Sequence, residues 1–170
     1  EKAKVKVVLN TEVTPKLVEQ EKPDAVVVAT GAKPVAAALP SGGNVVYLWE
    51  YLAGTAKIGQ KVVVLGAGEG AEAAVSLARE GKEVTLVEAG NDFPWPAYMY
   101  WGAARREPLL RYLKQGKVNV LMGRKVKSLS GNSLKLESPW SEETVAVDTV
   151  VVALGRESEN NLYQTLNVRG

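Results

Sequence analysis

The sequence predicts an α/β fold, a parallel sheet carrying an antiparallel meander, and three observations predict it. The runs Lys61-Val62-Val63-Val64-Leu65 and Thr149-Val150-Val151-Val152-Ala153-Leu154 are apolar without alternation, the pattern of strands buried on both faces of a parallel sheet. A glycine-rich turn, Gly66-Ala67-Gly68-Glu69-Gly70-Ala71, joins the first run to a segment of helical periodicity. Three short alternating runs follow further along, separated by turn residues.

Taken in order, residues 5–9 (VKVVL) predict a strand. The following helix has Thr14 as N-cap and Pro15 at its first position, where a missing N–H removes no hydrogen bond. Residues 24–31 (DAVVVATG) predict a buried strand. The stretch 33–44 is dense in breakers, with Pro34, Pro40 and Ser41-Gly42-Gly43, and predicts a crossing between domains. A short helical piece near Trp49 precedes the strand at 61–65. After the glycine turn, Ala71, Ala74, Val75 and Ala78 share one face of a helix that Gly81 caps. Residues 83–88 (EVTLVE) then close a βαβ unit of about 30 residues. Residues 91–101 are rich in Pro, Trp and Tyr and have no period. A helix over 105–115, a third parallel strand at 118–122 and meander strands at 125–130, 133–137 and 143–147 complete the unit, before the last strand ends at Gly155.

Composition narrows the chemistry. With 46% hydrophobic and 24% charged residues, a 170-residue chain buries an ordinary core. It contains no Cys and no His, which removes thiolate metal sites, iron–sulfur ligation, a redox dithiol and a Cys nucleophile from this segment. Any metal would need oxygen ligands alone, and no calcium-type acidic loop is present. A net charge of +2 with interspersed signs, and no basic aromatic patch, argues against a nucleic-acid partner. No apolar run is long enough for a membrane span, and the first residues show no signal-peptide pattern, so the expected location is cytoplasmic.

The glycine turn is where ligand chemistry is expected. A helix that starts directly after a strand offers free N–H groups and the positive end of its dipole to a pyrophosphate. Gly66, Gly68 and Ala71 fit G-x-G-x-x-A, and Glu88 closes the next strand about 20 residues on, where a carboxylate accepts hydrogen bonds from ribose hydroxyls. The simpler alternative is a tight strand-to-helix turn and a solvated strand end. Glu88 repels a 2′-phosphate, and residues 89–92 hold no Arg or Lys to receive one, so NAD is expected over NADP. The cofactor-binding candidates are therefore Gly66, Ala67, Gly68, Glu69, Gly70 and Glu88 on a Rossmann-like sheet.

Three separated features now coincide: Ala29-Thr30-Gly31 after a buried strand, the glycine turn with Glu88, and Asp148-x-Val-Val-Val-Ala-Leu-Gly155-Arg156. Together they resemble the flavoproteins with two dinucleotide-binding domains, in which a nicotinamide domain is inserted into a flavin- or ADP-binding domain. The phrases LNTEVTPKLVEQEKPDAVVVATGAKP, GQKVVVLGAG and REGKEVTLVE are most similar to the C-terminal half of old-yellow-enzyme-like reductases. These include 2-enoate and 2,4-dienoyl-CoA reductases and the related trimethylamine and histamine dehydrogenases. The resemblance implies that 1–40 is the C-terminal part of a split FAD/ADP-binding domain, 41–147 the inserted NAD(P)-binding domain and 148–170 the return segment. The sheet would then be flanked by remnants of a second dinucleotide-binding domain. It also implies that Ala29, Thr30, Gly31, Ala153, Leu154 and Gly155 pass near the cofactors, against the alternative that strand ends simply need small residues. A parent enzyme of this kind passes a hydride between NAD(H) and FAD and acts on an activated alkene or an amine. Its FMN barrel, iron–sulfur cluster and remaining FAD domain are the implied partners.

One departure from the family phrase G-G-G-x-x-G-x-E-x-A stands out. Aligning Glu72 and Ala74 with its Glu and Ala leaves one residue missing after Gly68, and Glu69 meets an incoming pyrophosphate with like charge. Two alternatives follow: a degenerate module that holds ADP or docks without catalysis, and a pyridine-nucleotide disulfide reductase domain. The aromatic group Trp95, Tyr98, Tyr100 and Trp101 could cover a ring or pack its own loop. Arg105-Arg106, and Arg124, Lys125 and Lys127, read as solvated faces.

Overall fold

The computed structural model describes residues 3–37, 39, 42–94 and 100–167, in two compact units. The smaller comprises Glu1–Lys33 and Glu157–Gly170, the larger Pro34–Arg156.

In the smaller unit, α1 (Pro15–Glu21) begins as its sequence requires. The Thr14 hydroxyl accepts the Leu17 N–H at 3.3 Å, and Pro15 occupies the first turn. The helix stops at Lys22, whose left-handed backbone (φ 46°) returns its N–H to the Val18 carbonyl at 3.0 Å. The strands expected at 5–9 and 24–31 do not form. Val5, Val7 and Leu9 are each more than 70% exposed and Val27 is 90% exposed. An apolar β-branched run is a strand only when a neighbouring edge takes its N–H and C=O groups, and among the described residues none runs beside these two segments. Where the chain passes between the units, β1 (Ala32–Pro34) pairs instead with a short strand near the end of the chain.

The larger unit is built on five parallel strands. Its elements are β2 (Val45–Tyr47), α2 (Leu48–Leu52), β3 (Lys61–Leu65), α3 (Gly70–Arg79), β4 (Glu83–Val87), α4 (Tyr100–Gln115), β5 (Asn119–Leu121), β6 (Lys125–Ser130), β7 (Ser133–Glu137), β8 (Glu142–Ala146) and β9 (Thr149–Val152). The sheet order is β2-β9-β3-β4-β5, and β6-β7-β8 is a separate antiparallel sheet. β10 (Arg156–Ser158), the partner of β1, and α5 (Asn161–Asn167), which packs on α1, end the chain.

Alternation along each strand divides the core into two layers. Val62, Val64, Val84, Leu86 and Val151 face the helices, meeting Ala71, Ala74 and Leu77 of α3 and Leu109 and Leu113 of α4. Val63, Leu65, Val87 and Val150 face the meander, meeting Leu129, Leu134 and Leu136. Alanines on α3 bring that helix close to the sheet, so the turn before it sits tightly on the strand ends. The helix closes with Gly81 N–H on the Ala78 carbonyl (3.1 Å) and Lys82 N–H on the Leu77 carbonyl (3.1 Å), a Schellman turn.

Three sequence expectations shift. The chain was expected to leave this domain at residue 148, yet β9 lies inside the sheet between β2 and β3, with all four residues buried. Its register, Val150 beside Val63 and Val45, explains why it is apolar on both faces. Strand β2 is unmarked in the sequence because it has only three residues and follows Gly42-Gly43-Asn44. Helix α4 starts at Tyr100 rather than 105 and carries Pro108 inside it, at the loss of one intrahelical hydrogen bond.

Candidate functional site

The carboxyl ends of β3, β4 and β9 converge where the strand order reverses, the place at which open α/β sheets take ligands. The candidates Gly66, Ala67, Gly68, Glu69, Gly70, Glu88, Ala153 and Leu154 all gather at this edge. Gly155 follows, with φ 94° and its carbonyl accepting the Val35 N–H at 3.1 Å. Ala29, Thr30 and Gly31 belong to the smaller unit, where the Thr30 hydroxyl donates to the Glu159 carbonyl and the Gly31 carbonyl accepts the Glu159 N–H at 3.0 Å. Trp95 and Tyr98 lie outside the described residues, and Tyr100 and Trp101 are described only as helical backbone.

The three glycines of the turn have different reasons to be glycine. Gly66 has φ 95°, and a Cβ there would stand 2.5 Å from the Ala153 carbonyl oxygen. At Gly70 a Cβ would stand 2.9 Å from that of Ala153 and 3.0 Å from Val64 Cγ1. Packing alone explains both, and it explains why Ala153 must be small. Gly68 is otherwise: its φ is not positive, and among the described residues a Cβ would meet Pro94 Cγ alone, at 3.9 Å. No other described residue fills the space beside Gly68. A phosphate at the start of α3 needs such a gap, so the residues present fit a dinucleotide pyrophosphate there.

Glu88 is held by this turn. Its Oε2 accepts the Ala67 N–H at 2.7 Å and its Oε1 the Gly90 N–H at 2.9 Å. Each oxygen keeps a second lone pair for a ribose hydroxyl.

Both acids at the start of α3 are answered by arginines from elsewhere in the chain. Glu69, in the N-cap position, pairs with Arg156, and Glu72 pairs with Arg105. The Arg156 guanidinium also lies 5.4 Å from the centre of the Trp49 ring. Leu48, Trp49, Leu52, Glu69, Ala73 and Arg156 line a cavity of about 340 Å³ beside the turn. A second cavity, of about 240 Å³, lies between the ends of β3 and β4 and the start of β6. Arg124, Lys125 and Val126 line it together with Gly66, Glu88 and Leu154.

The arginines and lysines read as solvated faces do lie at the surface, the Arg105 and Lys127 side chains 55% and 43% exposed, and several of them are ion-paired there. Arg105 is ion-paired, Arg124 Nε sits 2.6 Å from Glu143 Oε1, and Lys127 pairs with Glu142 and, at 3.7 Å, with Glu137. Sequence reasoning overlooked Trp49 as a wall of the site and Arg156 as the counter-charge of Glu69. The only available signal for the latter was the position of Arg156 directly after a buried strand and its glycine. Among the described residues no cluster of His, Cys, Asp or Glu could hold a metal ion, and no helix is long and apolar enough to cross a membrane.

Sheet order, the strand-to-helix glycine turn and the carboxylate at the next strand end define a Rossmann-like dinucleotide-binding fold. The chain belongs to the pyridine nucleotide-disulphide oxidoreductase family, whose model matches residues 1–169. It is 28% identical to a metal reductase of Desulforamulus reducens over 95% of this chain and 29% of that protein. To a cinnamate reductase of Clostridium sporogenes it is also 28% identical, over 94% of this chain and 24% of that protein. The solved structure of a 2-naphthoyl-CoA reductase in complex with 2-naphthoyl-CoA superposes with a TM-score of 0.81 at 26% identity, over 97% of this chain and 25% of that one. The chain thus spans 24–29% of the length of these curated relatives.

Proposed function

We propose that this chain binds a nicotinamide dinucleotide across the carboxyl edge of the five-stranded sheet, as part of a larger flavin-dependent oxidoreductase. The observation that carries the reading is Gly68, just before α3, a glycine that neither its backbone nor packing among the described residues requires. Gly68 and the first N–H groups of α3 would take the pyrophosphate, and Glu88 a ribose. Arg156 offsets the charge of Glu69, which otherwise faces the phosphates. A bound nicotinamide supplies the hydride chemistry; the chain's part is to bind and orient it. Gly31 and Gly155, where the chain passes between the units, are the positions at which backbone would approach the cofactors. The smaller unit, with its exposed Val5, Val7, Leu9 and Val27, fits the role of a portion of an FAD-binding domain completed by further chain.

For the whole enzyme we favour hydride transfer from the nicotinamide through FAD to an activated alkene. Support comes from the names of the relatives, since cinnamate and 2-naphthoyl-CoA both present unsaturation conjugated to a carbonyl. Electron transfer onward through FMN and an iron–sulfur cluster belongs to the same proposal, as does a cytoplasmic setting. The test is a fluorescence titration of the chain with NADH. Saturable binding is expected, and Gly68→Val should abolish it while leaving the circular dichroism spectrum unchanged. Absence of NADH and NAD binding at millimolar concentration defeats the reading.

The exposed Glu69 carboxylate at the start of α3 favours a second reading, a docking module that no longer binds dinucleotide. In that case NADH binds neither the parent chain nor Glu69→Gln; in a working site Glu69→Gln raises the affinity.

A further inference from the structure

The sequence favours NAD over NADP because no cation follows Glu88, but the fold brings cations to the cavity that Glu88 lines from another element. The segment after β5 is tied to the end of β4 by backbone hydrogen bonds, Arg124 N–H to the Glu88 carbonyl at 3.0 Å and Gly123 N–H to the Gly90 carbonyl at 2.8 Å. Arg124 and Lys125 consequently line the same cavity of about 240 Å³ as Glu88. The two are not equivalent. Arg124 is taken up by Glu143 at 2.6 Å, with a side chain only 29% exposed. Lys125 has no ion-pair partner among the described residues. Glu137, opposite it on β7, is engaged by Lys127 at 3.7 Å. Meanwhile both Glu88 oxygens accept backbone N–H groups, so its charge is partly answered and its carboxylate is held toward the turn.

We propose that this site accepts the 2′-phosphorylated dinucleotide NADP(H) as well as NAD(H), with the Lys125 ammonium as the cation that receives the 2′-phosphate. The inference rests on the dinucleotide site described above and adds its cofactor selectivity. A 2′-phosphate in this cavity meets the Glu88 carboxylate and the Lys125 ammonium, groups of opposite charge. Selectivity against it is therefore weak, contrary to what Glu88 alone implies. The contribution of Lys125 is that of a partly exposed ion pair and is screened by salt.

The test is a fluorescence titration of the 170-residue chain with NADH and with NADPH at low and physiological ionic strength. The NADPH Kd is expected within about threefold of that for NADH, with the steeper salt dependence. Lys125→Gln should raise the NADPH Kd by about fivefold, the scale of an exposed ion pair, and leave NADH unmoved. Lys125→Arg should restore NADPH binding. Binding of NADH with NADPH weaker by about thirtyfold or more overturns this inference and leaves the dinucleotide site standing. An equal effect of Lys125→Gln on both nucleotides also overturns it. Failure of both nucleotides to bind overturns the site itself, and this inference with it.

Discussion

The two edges of the five-stranded sheet use similar residues to opposite ends. At the amino edge, small and polar side chains close on the protein. Asp148 Oδ2 accepts the backbone N–H groups of Lys61 at 2.8 Å and Gln60 at 3.1 Å, while Oδ1 accepts Asn132 Nδ2 at 3.0 Å. The fully buried Thr149 hydroxyl accepts Asn44 Nδ2 and the Gly59 N–H, both at 2.9 Å. Gly59 is glycine because a Cβ would collide with Asp148. At the carboxyl edge, Gly66 and Gly70 are likewise packed against the neighbouring strand, but a Cβ at Gly68 would meet Pro94 alone, at 3.9 Å, and Lys125 has no ion-pair partner among the described residues. Motif residues at strand ends thus fall into two kinds. Asp148, despite its place in a recognisable phrase, ties β3 to β9; the described residues leave room beside Gly68, as the proposed pyrophosphate site requires.

The largest expected effect breaks the packed part of the carboxyl edge. Gly70→Val drives two methyl groups into Ala153 and Val64, and urea unfolding should show a loss of about 3 kcal/mol or more, with NADH binding lost alongside. Parental stability in this variant contradicts the close approach of α3 to the sheet. Next is Gly68→Val, which should cost at least about tenfold in NADH affinity while stability changes by less than about 0.5 kcal/mol, as for a surface substitution. A parallel loss of stability would place Gly68 with Gly66 and Gly70.

Asp148→Asn tests the other edge. Hydrogen bonding from the Lys61 backbone, with smaller help from Asn132 and Gln60, holds the Asp148 carboxyl below its ordinary value of 3.8. A carboxyl depressed in the folded state contributes stability that is present above the unfolded pKa and disappears as pH falls through the folded pKa. Melting temperatures measured from pH 7 down to about pH 2 should therefore fall less steeply below pH 4 for Asp148→Asn than for the parent, with NADH affinity at neutral pH unchanged. A changed affinity would contradict the division between the edges. The smallest effect belongs to Glu69→Gln, expected to tighten NADH about twofold to threefold, since Arg156 already answers most of that charge at an exposed site. Measurable but unchanged affinity there would mean that Glu69 does not face the phosphates.

Local signals were legible in the sequence because they act within a few residues. The Thr14 cap, the alanine face of α3, the Gly81 terminus and the alternation of the meander each predicted an element the structure contains, as did the unbroken apolar strands β3 and β9. The glycine turn and Glu88 were legible because strand, glycine spacing and helix succeed one another along the chain. What the sequence by itself determined is therefore the βαβ unit, the meander and the location of the candidate site. Only the tertiary structure decided which apolar runs are strands: residues 5–9 and 24–31 have the composition but no partner edge among the described residues, whereas the three residues of β2 have one in β9. It also decided that Arg156 meets Glu69, that Asp148 grips β3, and that Lys125 lines the same cavity as Glu88. Periodicity records that a residue is buried or exposed, but not which distant residue it will meet, because that depends on how crossovers order the strands.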